Sequence, residues 1–348
     1  MAEQQGATYA DAGVDIAAGD AAVEAIKDVV ASTSRPEVLG GIGGFGGMFA
    51  LDTQRHPNPV LVSSTDGVGT KLEVARLAGR FDTVGIDLVA MCVDDLVCIG
   101  AEPLFLLDYV AVGAVDPDRI AEVVGGVAEG CRQARCALLG GETAEHGGVM
   151  GADHLDIAGF AVGVLERGTE LGAPRVGLGD VLIGLASPGL RSNGYTLARH
   201  VLLERAGLDL DDPAWEGAEA TVADELLRPS VIYSPVIMDL LAACPGAVHA
   251  IAHITGGGIP GNLNRVLPDH LDAAVERSGL PVPRIFSEIA RLGSVAPDEM
   301  DRVFNMGVGM VLAVAADRAD DVLAALVPSG VPAAAIGTIV EGSGKVNL

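Results

Sequence analysis

The chain has 348 residues, 49% of them apolar but only 3% aromatic, so a core large enough for two domains must be built mainly from Val, Leu, Ile and Ala. Lys and Arg number 22 against 47 Asp and Glu, for a net charge of −25. Such a surface repels nucleic acid and anionic membrane, so neither is an expected partner, and an anionic substrate must be met by a local cationic pocket or by metal ions.

The five cysteines at 92, 98, 131, 136 and 244 form no C-x-x-C, and no apolar run approaches the ~20 residues of a membrane span. No basic segment followed by an apolar stretch opens the chain. The expectation is a soluble, cytoplasmic protein with buried thiols. In chain order, a short helix is expected over 20–31, with Asp20 as N-cap and Val23, Ile26 and Val30 as its apolar stripe. Lys27 lies at the edge of that stripe, either as a snorkelling lysine or as a cation aimed into a pocket. Residues 40–47 hold six glycines interleaved with Ile42 and Phe45. A solvated linker has no need of those apolar residues, so an ordered loop that drapes backbone N–H groups over a ligand is expected.

An apolar strand, 59–62, leads through small hydroxyl residues to a tight turn, Asp66-Gly-Val-Gly-Thr-Lys71. Carboxylate, glycines, hydroxyl and ammonium suit a magnesium-bound polyphosphate, although G-x-x-x-x-G-K-[ST] is absent and a plain hairpin turn fits the pattern equally well. A helix over 83–100 is apolar nearly all round, and its only acids, Asp87, Asp94 and Asp95, share one sector. That sector points to a metal or a cationic ligand, or to a solvated stripe.

A strand over 103–112 precedes a helix from 116 to about 135, with Asp116 as N-cap and Pro117 in the first position. A strand over 136–140 ends in Gly140-Gly-Glu-Thr143, and another spans 154–165. Glycines and a proline between 168 and 179 mark a domain boundary. Beyond it come a strand over 180–186, a loop over 187–195 entering a helix to about 206, and helices over 219–227 and 230–242. A strand over 248–253 runs into glycines and a helix near 259, a junction able to hold an anion. Strand 271–276, helix 283–292, strand 303–315, helix 318–327 and strand 333–340 complete an α/β chain of the α+β type, with two mixed domains.

Tyr9-Ala-Asp-Ala-Gly-Val-Asp15, Asp66-Gly-Val-Gly-Thr-Lys71, Asp95-Leu96, Gly140-Gly-Glu-Thr-Ala-Glu145, Ser192-Asn-Gly-Tyr195 and His253-Ile-Thr-Gly-Gly-Gly258 occur in this order. Together they resemble the phosphoribosylformylglycinamidine cyclo-ligase family over essentially the whole chain. The resemblance implies ATP-dependent closure of formylglycinamidine ribonucleotide to aminoimidazole ribonucleotide, a purine-biosynthetic step, with Mg²⁺ required and potassium often assisting. It implies an ATP-binding and dimerisation domain over 1–170, whose sheets pair as a barrel in a homodimer, and a substrate-side domain over 171–348 with helices on a mixed sheet.

By position, Asp66, Asp95 and Glu142 are implied as metal ligands. Lys27, Lys71 and the backbone of 40–47, Gly43, Gly44, Phe45 and Gly46 among them, are implied to meet ATP, with Gly67, Thr70, Gly141 and Thr143. Asn193 and His253, with Arg191 and Ser192, are implied on the substrate side, and Lys27, Asp66 and His253 in catalysis. The chain has Arg191 where the family often has His, Asp94 where it often has Asn, and His146-Gly-Gly148 where Met-Pro-Gly is usual. Arg191 is expected to bind the substrate phosphate instead.

The same architecture serves selenophosphate synthetase, thiamine monophosphate kinase, a hydrogenase maturation factor and the preceding purine enzyme. The first places a reactive Cys near its glycine loop and the maturation factor ends in Cys; this chain has no Cys before Cys92 and ends in Leu348. The kinase is nearest in size, but Tyr9–Asp15 and His253–Gly258 favour the cyclo-ligase. A regulatory nucleotide binder without turnover is opposed by the presence of Lys27, Asp66, Lys71, Asp95 and Glu142.

Overall fold

The computed structural model describes Gly6, Tyr9, residues 16–41 and residues 43–348; Ala10–Asp15 of the first motif and Ile42 of the glycine loop lie outside the described residues. The first domain runs α1 (Ile16–Ala31), β1 (Val38–Leu39), β2 (Met48–Phe49), β3 (Pro59–Gly67), α2 (Lys71–Ala78), α3 (Val84–Cys98), β4 (Glu102–Val112), α4 (Pro117–Gln133), β5 (Ala137–Glu145) and β6 (Leu155–Glu166). Helix α1 starts before the expected Asp20 cap, because alanines at 17, 18, 21 and 22 carry helix propensity upstream and leave Asp20 inside. Helix α4 starts as expected: the Asp116 side chain accepts the Asp118 and Arg119 N–H groups.

The sheet order is β3-β6-β4-β5. Strand β3 outlasts its expected end, since its antiparallel ladder with β6 continues from Pro59 to Gly67, and the turn shrinks to Val68–Thr70 before α2. Strand β5 likewise continues past Gly140, in a parallel ladder with β4 that α4 makes possible as the crossover. Asp66, Gly159, Asp108 and Gly141 are successive partners across all four strands and share one face. Helix α3 covers that face, and a Cβ on Gly159 would come 2.9 Å from Cys92 Sγ. The other face leaves Leu61, Tyr109 and Phe160 exposed.

The second domain runs β7 (Val181–Ala186), α5 (Tyr195–Arg199), α6 (Val222–Leu226), α7 (Ser234–Ala243), β8 (Val248–His253), α8 (Gly258–Leu263), β9 (Leu271–Val275), α9 (Arg284–Gly293), α10 (Pro297–Val303), β10 (Val308–Val314), α11 (Ala319–Leu326), β11 (Ala333–Glu341) and β12 (Val346–Asn347). Its six-stranded sheet has the order β12-β9-β11-β7-β10-β8, antiparallel except for β12 against β9. Helices α7 and α11 pack with Ile183, Leu185 and Leu312 on one face, and α8 with Leu182, Val311 and Ala313 on the other. The strand expected over 303–315 begins only at Val308, because Pro297 starts the short helix α10 and Gly307, at φ +89°, turns the chain into the sheet. No helix among the described residues is long and apolar enough to cross a membrane.

The acid sector of α3 forms the seam between the domains. Asp87 Oδ1 accepts the Ser230 N–H and Oγ–H at 2.9 and 2.6 Å, and Lys71 Nζ stands 2.5 Å from Asp87 Oδ2. Lys71 Nζ also donates to the carbonyls of Arg191 and Arg228, at 3.2 and 2.8 Å, and its ammonium lies 5.6 Å from the Tyr195 ring centre. Asp94 Oδ1 accepts the N–H groups of Tyr233 and Ser234, both at 2.9 Å, and so caps α7. Its Oδ2 accepts from Arg191 Nη2 at 2.9 Å. The sector is thus filled by cations and amides of the protein itself. Lys71, expected on the phosphates, has no exposed area and is committed to this seam.

Removing one partner of a buried pair leaves an uncompensated charge. Lys71→Ala should therefore cost about 3–5 kcal/mol in a denaturant titration; a loss under about 1 kcal/mol would show that Asp87 does not depend on the lysine. Asp108 offers a second test. Its Oδ2 is buried without a hydrogen-bond partner, and burial pushes its carboxyl up to about 7. Unfolded, it ionises near pH ~4. Between those values the unfolded state has lost a proton that the folded state keeps, so stability falls as pH rises from about 4 to about 7 and then levels off. Asp108→Asn should flatten that slope in unfolding titrations across this range; an unaltered slope would place the titration elsewhere.

Candidate active site in the interdomain cleft

The end of β3, the turn before α2, the exposed edge of α3, the loop between β7 and α5 and the end of β8 converge between the domains. Asp66, at the end of β3, is exposed toward this cleft. Burial of its carboxyl, then the charge of Asp95, push it above the usual carboxylate range, against the pull of the Gly67 N–H it accepts at 2.7 Å. Asp95 experiences the opposite balance. Burial raises it, but hydrogen bonds from His253 and Ser64 hold it below the usual range. Its Oδ1 is 2.9 Å from His253 Nδ1, and its Oδ2 accepts from Ser64 Oγ at 3.3 Å. Both carboxyls are raised by burial, and it is their partners, His253 and Ser64 on Asp95 but only the Gly67 N–H on Asp66, that set them apart.

His253, expected on the substrate side and in catalysis, is 5% exposed and has both ring nitrogens engaged, Nδ1 with Asp95 and Nε2 with Arg191 Nη2 at 2.9 Å. Arg191, expected on the substrate phosphate, is 1% exposed. It donates to Asp94 and to the Val231 carbonyl and lies 4.9 Å from the Tyr233 ring centre, so its charge is spent inside the protein. Two of the three departures from the family pattern, Asp94 and Arg191, thus form one ion pair.

Ser192 and Asn193 remain available. Ser192 Oγ and Asn193 Oδ1 are buried atoms without partners, and both residues line a cavity of about 470 Å³ with Thr70, Tyr195 and Thr196. Thr70 also borders a second cavity of about 350 Å³, lined by Glu73, Arg76 and His154. Arg265, beyond α8, was not among the expected residues. It is exposed, makes no hydrogen bond or ion pair among the described residues, and lies close enough for its charge to act on Asp95. The available signal was that it is the sole Lys or Arg between 254 and 276, just after the glycine junction.

The remaining expected residues gather at the opposite edge of the first sheet. Gly43, Gly44, Phe45 and Gly46 form the exposed loop of the β1–β2 hairpin, and a Cβ on Gly47 would strike Leu139 of β5. Lys27 is exposed on α1, which packs on α4 and β5, and pairs with Glu24. Gly141 and Thr143 face inward on β5; a Cβ on Gly141 would sit 1.6 Å from Asp108 Oδ1. Glu142, paired with Tyr109, points from the opposite face of the sheet, and β5 is three strands from β3. The expected Asp66–Asp95–Glu142 set is therefore not assembled within the chain. Among the described residues, no three His, Cys, Asp or Glu side chains are grouped to hold a metal.

Residues 49–165 match the AIR synthase related protein N-terminal domain, and residues 177–347 its C-terminal domain. The chain is 54% identical over 340 residues to the phosphoribosylformylglycinamidine cyclo-ligase of Myxococcus xanthus, covering 98% of each. It is 52% identical over 333 residues to that of Trichlorobacter lovleyi, covering 96% of this chain and 95% of that one. Among solved structures, thiamine-monophosphate kinase from Stenotrophomonas maltophilia aligns at a TM-score of 0.67 and 21% identity, covering 93% and 95% of the two chains. The hydrogenase maturation protein HypE in complex with ATP aligns at 0.66 and 20%, covering 93% and 90%. These two share the fold. With both domains matched and half of the residues shared across nearly the full length of its relatives, the chain belongs to the phosphoribosylformylglycinamidine cyclo-ligase family.

Proposed function

We propose that the chain closes the imidazole ring of purine biosynthesis, converting formylglycinamidine ribonucleotide and ATP into aminoimidazole ribonucleotide, ADP and phosphate in the cytoplasm. The observation that carries this reading is the identity of about half over nearly full length to named cyclo-ligases. The cleft supports it. An amide oxygen is a poor leaving group until phosphorylated, and phosphoryl transfer to it is largely positioning and charge neutralisation.

The exposed Arg265 guanidinium is free to take a phosphate, while Lys71 and Arg191 are not. Ser192 Oγ and Asn193 Oδ1 offer unfilled hydrogen-bonding capacity to the ribonucleotide. Asp66 and Asp95 fit a magnesium ion that keeps several waters and reaches the protein through one or two carboxylates. Magnesium, when bound, supplies neutralisation of the ATP phosphates; potassium is an accessory. Holding the attacking nitrogen over the activated carbon supplies up to ~7–11 kcal/mol of the barrier.

The chain divides functionally near residue 170 into an ATP-binding and a substrate-side domain. A homodimer formed through the outer sheet faces covers Leu61, Tyr109 and Phe160 and puts Glu142, on the same face, at the interface.

The direct test measures ADP release from Mg-ATP with and without formylglycinamidine ribonucleotide while following the aminoimidazole product. Substrate-dependent ADP matched by product is expected; ADP release with thiamine monophosphate in its place would move the chain to the kinase branch. Asp66→Asn should lower kcat about a hundredfold with the fold intact, and full activity would remove its role. Arg265→Gln should raise the KM of a phosphorylated substrate about tenfold and leave kcat within about threefold. Unaltered KM values for both substrates would show that Arg265 meets neither.

A further inference from the structure

Asp94 Oδ2, Arg191 Nη2, His253 Nε2 and, across the ring, His253 Nδ1 and Asp95 Oδ1 form one continuous row whose three hydrogen bonds are each 2.9 Å long. A guanidinium has donors and no acceptor. His253 Nε2 must therefore accept, so the ring proton sits on Nδ1 and is donated to Asp95. We propose that Arg191 is a positioning residue that locks His253 as its Nδ1–H tautomer and, through that ring, fixes the orientation of the Asp95 carboxylate in the cleft.

Arg191 is held where nothing but this row can use it. It is 1% exposed, its other terminal nitrogen donates to the Val231 carbonyl at 2.8 Å, and Tyr233 covers it from 4.9 Å. Its backbone sits at φ +64°, a left-handed conformation that costs an L-residue energy and persists only where the surroundings over-determine it. Asp94, at the head of the row, is itself fixed by the N–H groups of Tyr233 and Ser234.

The alternative tautomer would oppose an N–H on Nε2 to the arginine N–H, and a bare Nδ1 to the Asp95 carboxylate, losing both bonds of the ring. In the Nδ1–H form each Asp95 oxygen has one anchor, His253 on Oδ1 and Ser64 on Oδ2, and its remaining lone pairs are left for the cleft. His253 accordingly acts as a connector and not as an acid or base on substrate. The effect on turnover rests on the cyclo-ligase reading; the lock itself does not.

Two double variants isolate the donor. D94N/R191Q and D94N/R191M both remove the buried ion pair, so neither strands a lone charge, but only glutamine can donate to His253 Nε2. Ring ¹⁵N–¹H correlation spectra of the unliganded protein, with the His253 signal assigned by its loss in His253→Gln, should show a protonated Nδ1 and a bare Nε2 in wild type and in D94N/R191Q. In D94N/R191M the proton should move to Nε2 or divide between the two nitrogens. In the ligase assay, at matched melting temperatures, kcat of D94N/R191M should lie about tenfold below that of D94N/R191Q, with KM values within about twofold.

A wild-type spectrum with the proton on Nε2, or a proton still held wholly on Nδ1 in D94N/R191M, where Asp95 alone remains to fix it, would overturn the lock. Equal kcat values in the two variants despite a moved proton would overturn the positioning of Asp95. Because the spectra need no substrate, they decide the tautomer even where turnover on formylglycinamidine ribonucleotide is absent.

Discussion

Helix α3 brings three carboxylates to the seam between the domains, Asp87 and Asp94 fully buried and Asp95 at the edge of the cleft, and the relation between the two domains depends on what those carboxylates hold. Asp87 takes Lys71 and the Ser230 donors, Asp94 takes Arg191 and the first amides of α7, and Asp95 takes His253. Most of these partners come from the second domain, so a single face of one helix docks the loop after β7, the start of α7 and the end of β8. The rest of α3 is apolar and anchors the first sheet. One helix therefore carries the core of one domain and the polar registration of the other.

Buried ion pairs are poor sources of net stability, because desolvation offsets most of the attraction. What they provide here is geometry. Each charge is held by several directional contacts, and aromatic faces, Tyr195 for Lys71 and Tyr233 for Arg191, cover further sides. The cleft inherits that rigidity. Asp66 and Asp95 form its acid side, and Ser192 and Asn193 bring unfilled hydrogen-bonding capacity to the cavity they line.

Much of the scaffold was legible in the residues. The Asp116–Pro117 cap, the apolar α3 with its acid sector, and the strand-to-glycine junctions follow from local periodicity and backbone chemistry. What local pattern does not contain is the identity of a distant partner. Lys71 and Arg191 read as ligand cations because nothing nearby in the chain reveals that Asp87 and Asp94 await them. The separation of Glu142 from Asp66 and Asp95 went unseen for a different reason. Face alternation is informative only inside a strand, and a strand expected to stop at Gly140 gave no face to Glu142. Helix α10 is too short to show a period; it fell in the gap between the expected helix and strand, and only its last residue, Val303, lay inside the strand. Arg265 had a compositional signal, as the sole Lys or Arg between 254 and 276, but no motif of its own.

The Lys71–Asp87 pair also constrains how such a chain can change over generations. Both side chains lie at zero exposure with the charge of each answered by the other, so a lone replacement at either position passes through a folded state carrying a stranded ion. Neutral drift through that intermediate is closed unless stability has been gained elsewhere. The two positions are therefore energetically coupled, although they belong to different helices and are separated in the sequence by α2 and the first turn of α3.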